Sequence, residues 1–283
     1  MLDGILIYTE YEANRNKFFI DKLISAAKRC NIDLELVICE KARFDFSKSG
    51  LAIFYEEKVF TKIDFVILRV MNYTLATRFE KCGVRVYNSS YISKIADNKY
   101  LTYLEMKKSG IEVLDTHLQW DIDEKNIFYP NVTKPIDSKG GDRVYLNNDF
   151  DEYKKNVNAY KDTSFIMQKV ATNFGKDLRA YVIGERIVAS ILRTSKDGFI
   201  SNFCKGGKPS IYTLDTYERK VVEKIISYIK PDYVGIDFLF SKDGIVLNEI
   251  ENVVGARMVY ELTDIDIAKS FIEYISEHKN LST

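Results

Sequence analysis

The chain has 283 residues, 46% hydrophobic and 29% charged, enough for two or three packed subdomains and without any low-complexity tract. Basic and acidic residues number 41 each, so no global field selects nucleic acid, an anionic membrane or another polyanion, and any phosphate recognition has to be local. Cys30, Cys39, Cys82 and Cys204 are scattered and His117 and His278 are the only histidines, which argues against a zinc site and leaves cysteine or serine nucleophile chemistry without a base.

The N-terminal apolar run Gly4 to Tyr8 turns polar at Thr9-Glu10, too early for a signal-peptide core or a membrane span, so a cytoplasmic location is expected. Phe19, Leu23, Ala27 and Cys30 then recur at helical spacing, and Leu34 to Cys39 forms a second apolar run. Asp64 to Arg69 reads as another buried strand, Leu75 to Cys82 as a helix that Gly83 ends, and Val84 to Tyr87 as a strand, which together predict a small parallel α/β domain. A helix is expected over Asp97–Lys108, closed by Gly110.

Beyond about residue 130 the signals become hairpins. Leu178 to Ile183 meets Arg186 to Leu192 across Gly184-Glu185, and Tyr233 to Phe240 meets Ile245 to Ile250, with helices expected near Asp151–Tyr160, Asp215–Ile229 and Asp266–Ser276. The expected organisation is 1–92 α/β, then 93–172 and 173–283 as two α+β subdomains with antiparallel sheets.

The last hairpin carries the strongest chemical signal. Glu249 and Glu251 lie two apart on one strand and so share a face. A three-residue loop Lys242-Asp243-Gly244 would pair Ser241 with Ile245 and set Asp237 opposite Glu249. Three converging carboxylates suit a hard divalent cation such as magnesium. Salt bridges to Arg179, Arg193 or Arg257 are the alternative, and spacing does not choose between them.

Thr133-Lys134-Pro135, followed by Ser138, Gly140 and Gly141 and a strand restarting at Arg143, has the form of a phosphate-covering flap, although a plain polar hairpin has the same composition. It lacks the ending of a Walker A loop. Ser201-Asn202 with Gly206-Gly207 is a second polar glycine loop. Lys99, by propensity alone, is an ordinary solvated lysine.

The order of these pieces resembles the ATP-grasp superfamily and, more narrowly, its RimK/LysX-like ligases. The resemblance runs through Gly83 to Ser90, Asp97-Asn98-Lys99, Lys108 to Ile111, Thr133-Lys134-Pro135, Gly175 to Gly184 and Ser201 to Gly207. It continues through Gly235-Ile236-Asp237, Asn248 to Asn252 and Asp264 to Ala268. It implies an ATP-grasp fold behind an N-terminal α/β domain, and an ATP-dependent carboxylate–amine ligase working through an acyl-phosphate.

By the same resemblance Lys99 and Lys134 contact the nucleotide, Gln168, Lys169 and Val170 run past the adenine, and Asp177, Ser201 and Asn202 sit beside the phosphates. Asp237, Glu249 and Glu251 fall on ligands for Mg2+, with Mn2+ a second candidate. Arg179 and Arg193 match catalytic positions facing the phosphoryl group and the acceptor, and Arg257 a substrate carboxylate. Asn14, Asn16, Lys17 and Arg69 of the N-terminal domain are placed around the acceptor pocket. The implied partners are a small-molecule or peptide carboxylate and an amine, with a homo-oligomer left open and neither nucleic acid nor membrane.

The chain departs from the family pattern in three places. Glu251 stands where asparagine is usual, Val253-Val254-Gly255 replaces a Ser-Pro-Gly turn, and Lys169 replaces an acid. Two rival functions share the nucleotide half: a phosphotransferase with a hydroxyl acceptor, and a non-catalytic ATP-binding protein.

Overall fold

The computed structural model describes residues 1–47, 50–138, 140–195 and 208–278. The N-terminal part comprises β1 (Leu2–Tyr8), α1 (Glu10–Arg15), α2 (Lys17–Arg29), β2 (Ile32–Ile38), β3 (Ala42–Ser47), β4 (Gly50–Tyr55), β5 (Lys58–Phe60), β6 (Phe65–Leu68), α3 (Tyr73–Lys81) and β7 (Arg85–Tyr87). Strands β2-β1-β6-β7 form the expected parallel sheet. Its central strand β1 is a continuous apolar run because a parallel strand is covered on both faces.

The helical spacing noted in α2 is the buried stripe Phe19, Ile20, Leu23, Ala26 and Ala27. Gly83, at φ +78°, ends α3 as expected. Strands β3, β4 and β5, for which the sequence yielded no expectation, form a separate antiparallel meander. It is held to α3 by Phe44 and Phe46, whose rings pack on Phe79 with centroids 5.9 and 5.2 Å away.

Next come α4 (Ser90–Ala96) and α5 (Lys99–Lys108), the latter capped by the Asn98 side chain accepting from the Leu101 N–H. The middle subdomain holds β8 (Thr116–Leu118), β9 (Asn131–Pro135), β10 (Tyr145–Asn147), α6 (Phe150–Val157) and β11 (Phe165–Lys169). Its antiparallel order is β10-β9-β11-β8. The strand after the flap starts at Tyr145 rather than at Arg143, which has φ +50° and is turned out to pair with Asp162 at 2.6 Å.

The last part contains β12 (Asn173–Ile183), β13 (Arg186–Thr194), β14 (Lys208–Ile211), α7 (Thr216–Ile229), β15 (Tyr233–Ser241), β16 (Gly244–Glu251), α8 (Arg257–Leu262) and α9 (Ile267–Glu277). The sheet order is β14-β13-β12-β15-β16, antiparallel throughout. Asp215 opens α7 with a full capping box to Glu218.

The β15–β16 register corrects one expectation and keeps its consequence. Ser241 pairs with Gly244, not with Ile245, so the turn holds two residues. A one-residue bulge then falls between the Phe238↔Leu247 and Asp237↔Glu249 pairs, which makes Asn248 the extra residue. Without it Asn248 would pair with Asp237 and Ile250 with Gly235, so Ile250 would move to the acid face and the glutamates would enter the core; with it, Leu247 and Ile250 are both buried in one cluster.

The C-terminal segment does not stay with its own sheet. Phe271 and Ile272 of α9 share a core with Leu6, Tyr8, Phe19, Tyr181 and Tyr233, so the first and last parts of the chain are joined by one apolar cluster. Among the described residues no helix is long and apolar enough to cross a membrane.

Asn88 is the polar rivet of that junction. Its amide donates to the Tyr233 carbonyl at 2.6 Å and to Asn252 Oδ1 at 2.8 Å. Its side-chain oxygen accepts from the Asp232 and Tyr233 N–H groups, both at 2.8 Å. Asn88→Ala strands several of these buried groups and is expected to lower stability by about 2–4 kcal/mol. Urea denaturation checks this; a change under about 0.5 kcal/mol contradicts it.

Candidate functional site

Two cavities meet at the acid-bearing sheet. The first is narrow, about 100 Å³, and is lined by Lys99, Lys134, Ser138, Gly141, Gln168, Lys169, Asp177, Asn248 and Glu249, among others. The second, about 1060 Å³, opens between the N-terminal domain and the last sheet, and its wall includes Asn16, Arg69, Gly140, Arg179, Arg193, Glu251 and Arg257. The adjacent glycines 140 and 141 thus face different cavities, and so do Glu249 and Glu251. Residues with those numbers form the boundary between the two spaces.

In the narrow cavity Lys99 is 8% exposed, buried rather than solvated. Its Nζ lies 3.4 Å from Glu249 Oε2 and donates to the carbonyl of Ser138, which ties the flap to α5. Lys134 comes from β9 and bonds the Tyr103 hydroxyl at 2.9 Å and Asn248 Oδ1 at 3.1 Å. Burial lowers its ammonium to about 8, and the Glu249 carboxylate pulls the other way without restoring it. Asn248 can accept from both Lys134 and the Tyr103 hydroxyl because, as the bulged residue, it is released from the strand ladder.

Gln168 lines the cavity but its amide donates to Thr116 at 2.8 Å. Lys169 presents an exposed side chain, and its backbone N–H is taken by the Asp115 carbonyl at 2.9 Å. Val170 follows directly but is not part of the cavity wall. Ser201, Asn202 and the glycines after them lie outside the described residues.

At the boundary the acids converge as expected, and the arginine pairing weighed as the alternative is present for Asp237 and Glu251. Asp237 and Glu249 face each other across the hairpin, with Glu251 on the same face. Yet Asp237 is 1% exposed and both its oxygens are engaged: Arg179 bonds them at 2.6 and 2.7 Å, and Arg193 reaches one at 2.7 Å. Arg179 also pairs with Glu251 at 2.6 Å, and Arg193 with Asp177. Among the described residues no group of three or more acids, cysteines or histidines is disposed to hold a metal.

The expected three-carboxylate set is thus split. Asp237 is turned inward to the guanidinium groups, while Glu249 and Glu251 border the cavities. Glu249 and Glu251 offer carboxylate oxygens of the kind that suits a hard divalent cation, whereas the Asn248 amide oxygen accepts from Lys134. Burial by itself would raise the Asp237 carboxyl, but Arg179 and Arg193 outweigh it and hold the group below the usual carboxylate range.

Arg257 lies at the exposed start of α8 on the large cavity, and of the N-terminal residues expected there Asn16 and Arg69 are in the wall whereas Asn14 and Lys17 are not. Two site residues were given no role in the sequence reading: Tyr103 and Asn248. Tyr103 stands one helical turn after Lys99 on the same face, a legible signal; the role of Asn248 depends on the bulge and is not.

A sequence model of the RimK-like ATP-grasp domain matches residues 96–275. The chain belongs to that family, within the ATP-grasp carbon–nitrogen ligases. It is 25% identical to the uncharacterized protein MG011 of Mycoplasma genitalium over 92% of this chain and 88% of that one. It is 26% identical to a probable alpha-L-glutamate ligase of Haemophilus influenzae over 90% and 93%. A solved RiPP-associated ATP-grasp ligase from Chryseobacterium gregarium, in complex with ADP and a leader and core peptide, superposes with a TM-score of 0.74 at 15% identity, covering 100% of both chains. That likeness, with the parallel and antiparallel sheets in sequence, establishes the ATP-grasp fold.

Because the Asp237 carboxyl is depressed in the folded state, its stabilising contribution is complete above the unfolded value near 4 and is lost as pH falls below it. Asp237→Ala leaves two buried guanidinium groups undercompensated and is expected to cost about 3–5 kcal/mol at pH 7. Asp237→Asn should flatten the acid limb of the stability curve below about pH 4. Denaturation between pH 2 and 7 measures both; a wild-type acid limb in Asp237→Asn contradicts the assignment.

Proposed function

We propose that this protein is an ATP-dependent ligase that activates a carboxylate as its acyl-phosphate and joins it to an amine, releasing ADP and phosphate. The observation that carries the reading is the boundary just described. A lysine-lined cavity and a larger arginine-bearing cavity are separated by one row of acids, so a phosphoryl donor in one and an acceptor in the other would meet at Glu249 and Glu251.

Lys99 and Lys134, from opposite sides, are suited to a triphosphate, and the loop at 138–141 covers it, excluding water from the reactive phosphorus. Glu249 and Glu251 are the residues that would hold Mg2+, which when bound neutralises phosphate charge. Asp237 fixes Arg179 and Arg193 behind them, so their positive charge is already oriented when charge develops on transfer. The carboxylate oxygen then attacks the γ-phosphorus as ADP leaves, and the amine displaces phosphate from the carbonyl carbon. The name of the Haemophilus relative supports an amino acid, L-glutamate first, as one substrate, and the peptide complex of the Chryseobacterium ligase supports a peptide as the other.

With Mg-ATP and an accepted carboxylate, hydroxylamine should yield a hydroxamate, which neither a phosphotransferase nor a non-catalytic binder produces. Glu249→Gln is expected to lower kcat at least about a hundredfold. If ADP release persists at the wild-type rate in Glu249→Gln, or no hydroxamate forms across amino acids and short peptides, the proposal fails.

Nucleotide affinity should also depend on pH. Triphosphate favours charged Lys134, so affinity is full below about 8 and falls as pH rises past it. Lys134→Met should weaken Mg-ATP binding roughly tenfold or more and remove this slope. Calorimetry from pH 7 to 10 tests it; an unchanged slope in the variant contradicts the role of Lys134.

A further inference from the structure

Five arginines line the large cavity: Arg15, Arg69, Arg179, Arg193 and Arg257. Arg15 pairs with Glu12 at 3.3 Å, while Arg179 and Arg193 are held by Asp177, Asp237 and Glu251. Among the described residues neither Arg69 nor Arg257 has a carboxylate partner. Arg257 is exposed and hydrated, so its charge needs none.

Arg69 is different, because it is only 4% exposed. A buried guanidinium without an acid is costly, since it gives up hydration without a counter-charge. Its Nε donates to the Tyr8 hydroxyl at 3.2 Å and one Nη donates to the Val254 carbonyl at 2.6 Å. The rings of Tyr8, Phe19 and Tyr233 lie 5.9, 5.6 and 5.6 Å from its central carbon. These contacts orient the group and soften its burial, but none is an anion, and the second Nη has no bond among the described residues.

A second, independent observation lies beside it. Tyr181 is fully buried, belongs to the wall of the same cavity, and its hydroxyl has no hydrogen-bond partner among the described residues; the hydroxyl of Tyr233, which packs on Arg69, has none among them either. Tyr181 and Tyr233 sit on one face of the sheet, since Tyr233 pairs with Ile183, two residues from Tyr181. A cavity wall with one uncompensated guanidinium and the unspent Tyr181 hydroxyl, backed by that of Tyr233, is short of anionic acceptor oxygens.

We propose that Arg69, assisted by the Tyr181 hydroxyl, binds a carboxylate of the acceptor substrate on the N-terminal side of the large cavity. This rests on the ligase reading, and it assigns substrate recognition to Arg69 in place of Arg179 and Arg193, whose donors are committed to internal acids. The carboxylate belongs either to a free acidic amino acid or to the C-terminus of a peptide. A small side-chain rotation must open the covered hydroxyl to the ligand.

The test is calorimetric binding to the full chain of three probes: L-glutamate, the peptide Ala-Ala-Glu, and Ala-Ala-Glu with an amidated C-terminus. Mg-ATP is titrated separately as the check on the ligase reading. Wild type should bind L-glutamate or the free peptide, and Arg69→Met and Tyr181→Phe should each weaken that binding at least about tenfold with Mg-ATP affinity unchanged.

Arg69→Lys, which keeps charge but loses the fork, should recover only part of the loss. Tyr181→Phe guards against misfolding, because it removes a hydroxyl that bonds nothing among the described residues and should leave Tm unchanged or higher. Preference for L-glutamate over the peptides identifies the amino acid source, and loss on amidation identifies the C-terminal one. If neither probe binds, or if both variants bind like wild type, the assignment to Arg69 is overturned. Absent Mg-ATP binding in wild type sinks the ligase reading instead, whatever the carboxylate probes show.

Discussion

The site is organised by charge compensation on one face of an antiparallel sheet. Asp177, Asp237 and Glu251 cannot lie close together unless cations are set between them, and Arg179 and Arg193 fill that place. In a low-dielectric interior each ion holds its neighbours to a narrow geometry, because breaking any one pair leaves a charge that water cannot reach. The cluster is therefore a rigid wall, and the movable charges are on either side of it. Lys99 and Lys134 stand toward the narrow cavity, and Arg69 and Arg257 toward the wide one. The sheet supplies the fixed frame, and the groups proposed to meet ligands line the cavities beside it.

The same frame explains why the N-terminal domain is more than an appendage. Its first strand and α2 share a core with α9 and with the tyrosines of the last sheet, and Asn88 bonds the backbone at the start of β15. Arg69 reaches the carbonyl of Val254 across this seam. Gly235 permits the approach, since a Cβ there would stand 2.7 Å from the Val254 side chain. The loop at Val253-Val254-Gly255, where the chain departs from the usual Ser-Pro-Gly turn, is thus built to meet Arg69.

Much of this was legible in the sequence, and the reasons for the gaps are physical. Apolar runs and helical spacing located β1, α2, β2, β6, α3 and the paired hairpins, because burial on two faces or one stripe leaves a periodic trace. The meander β3 to β5 left a weak trace, since it is half-buried and packs mainly through Phe44 and Phe46. The acids were found by their alternation and Arg179 and Arg193 were among the partners weighed, but the choice between metal and guanidinium was not legible, because it depends on strands far apart in sequence. Lys99 looked solvated for the same reason: the flap and β16 that bury it are distant along the chain. Arg69 could be placed at the cavity from its strand, while its want of a counter-ion is a property of three dimensions only.

Asn248 deserves the last word on robustness. A strand offers its side chains two sides in strict alternation, so a hairpin tip of altered length would ordinarily reverse which residues face inward. The extra residue offsets the two-residue tip by one place, so that Asp237, Glu249 and Glu251 share one side while Leu247 and Ile250 stay in the core. Tip and bulge are therefore a matched pair: a tip altered by one residue would need a compensating change at Asn248 to keep the charges in phase.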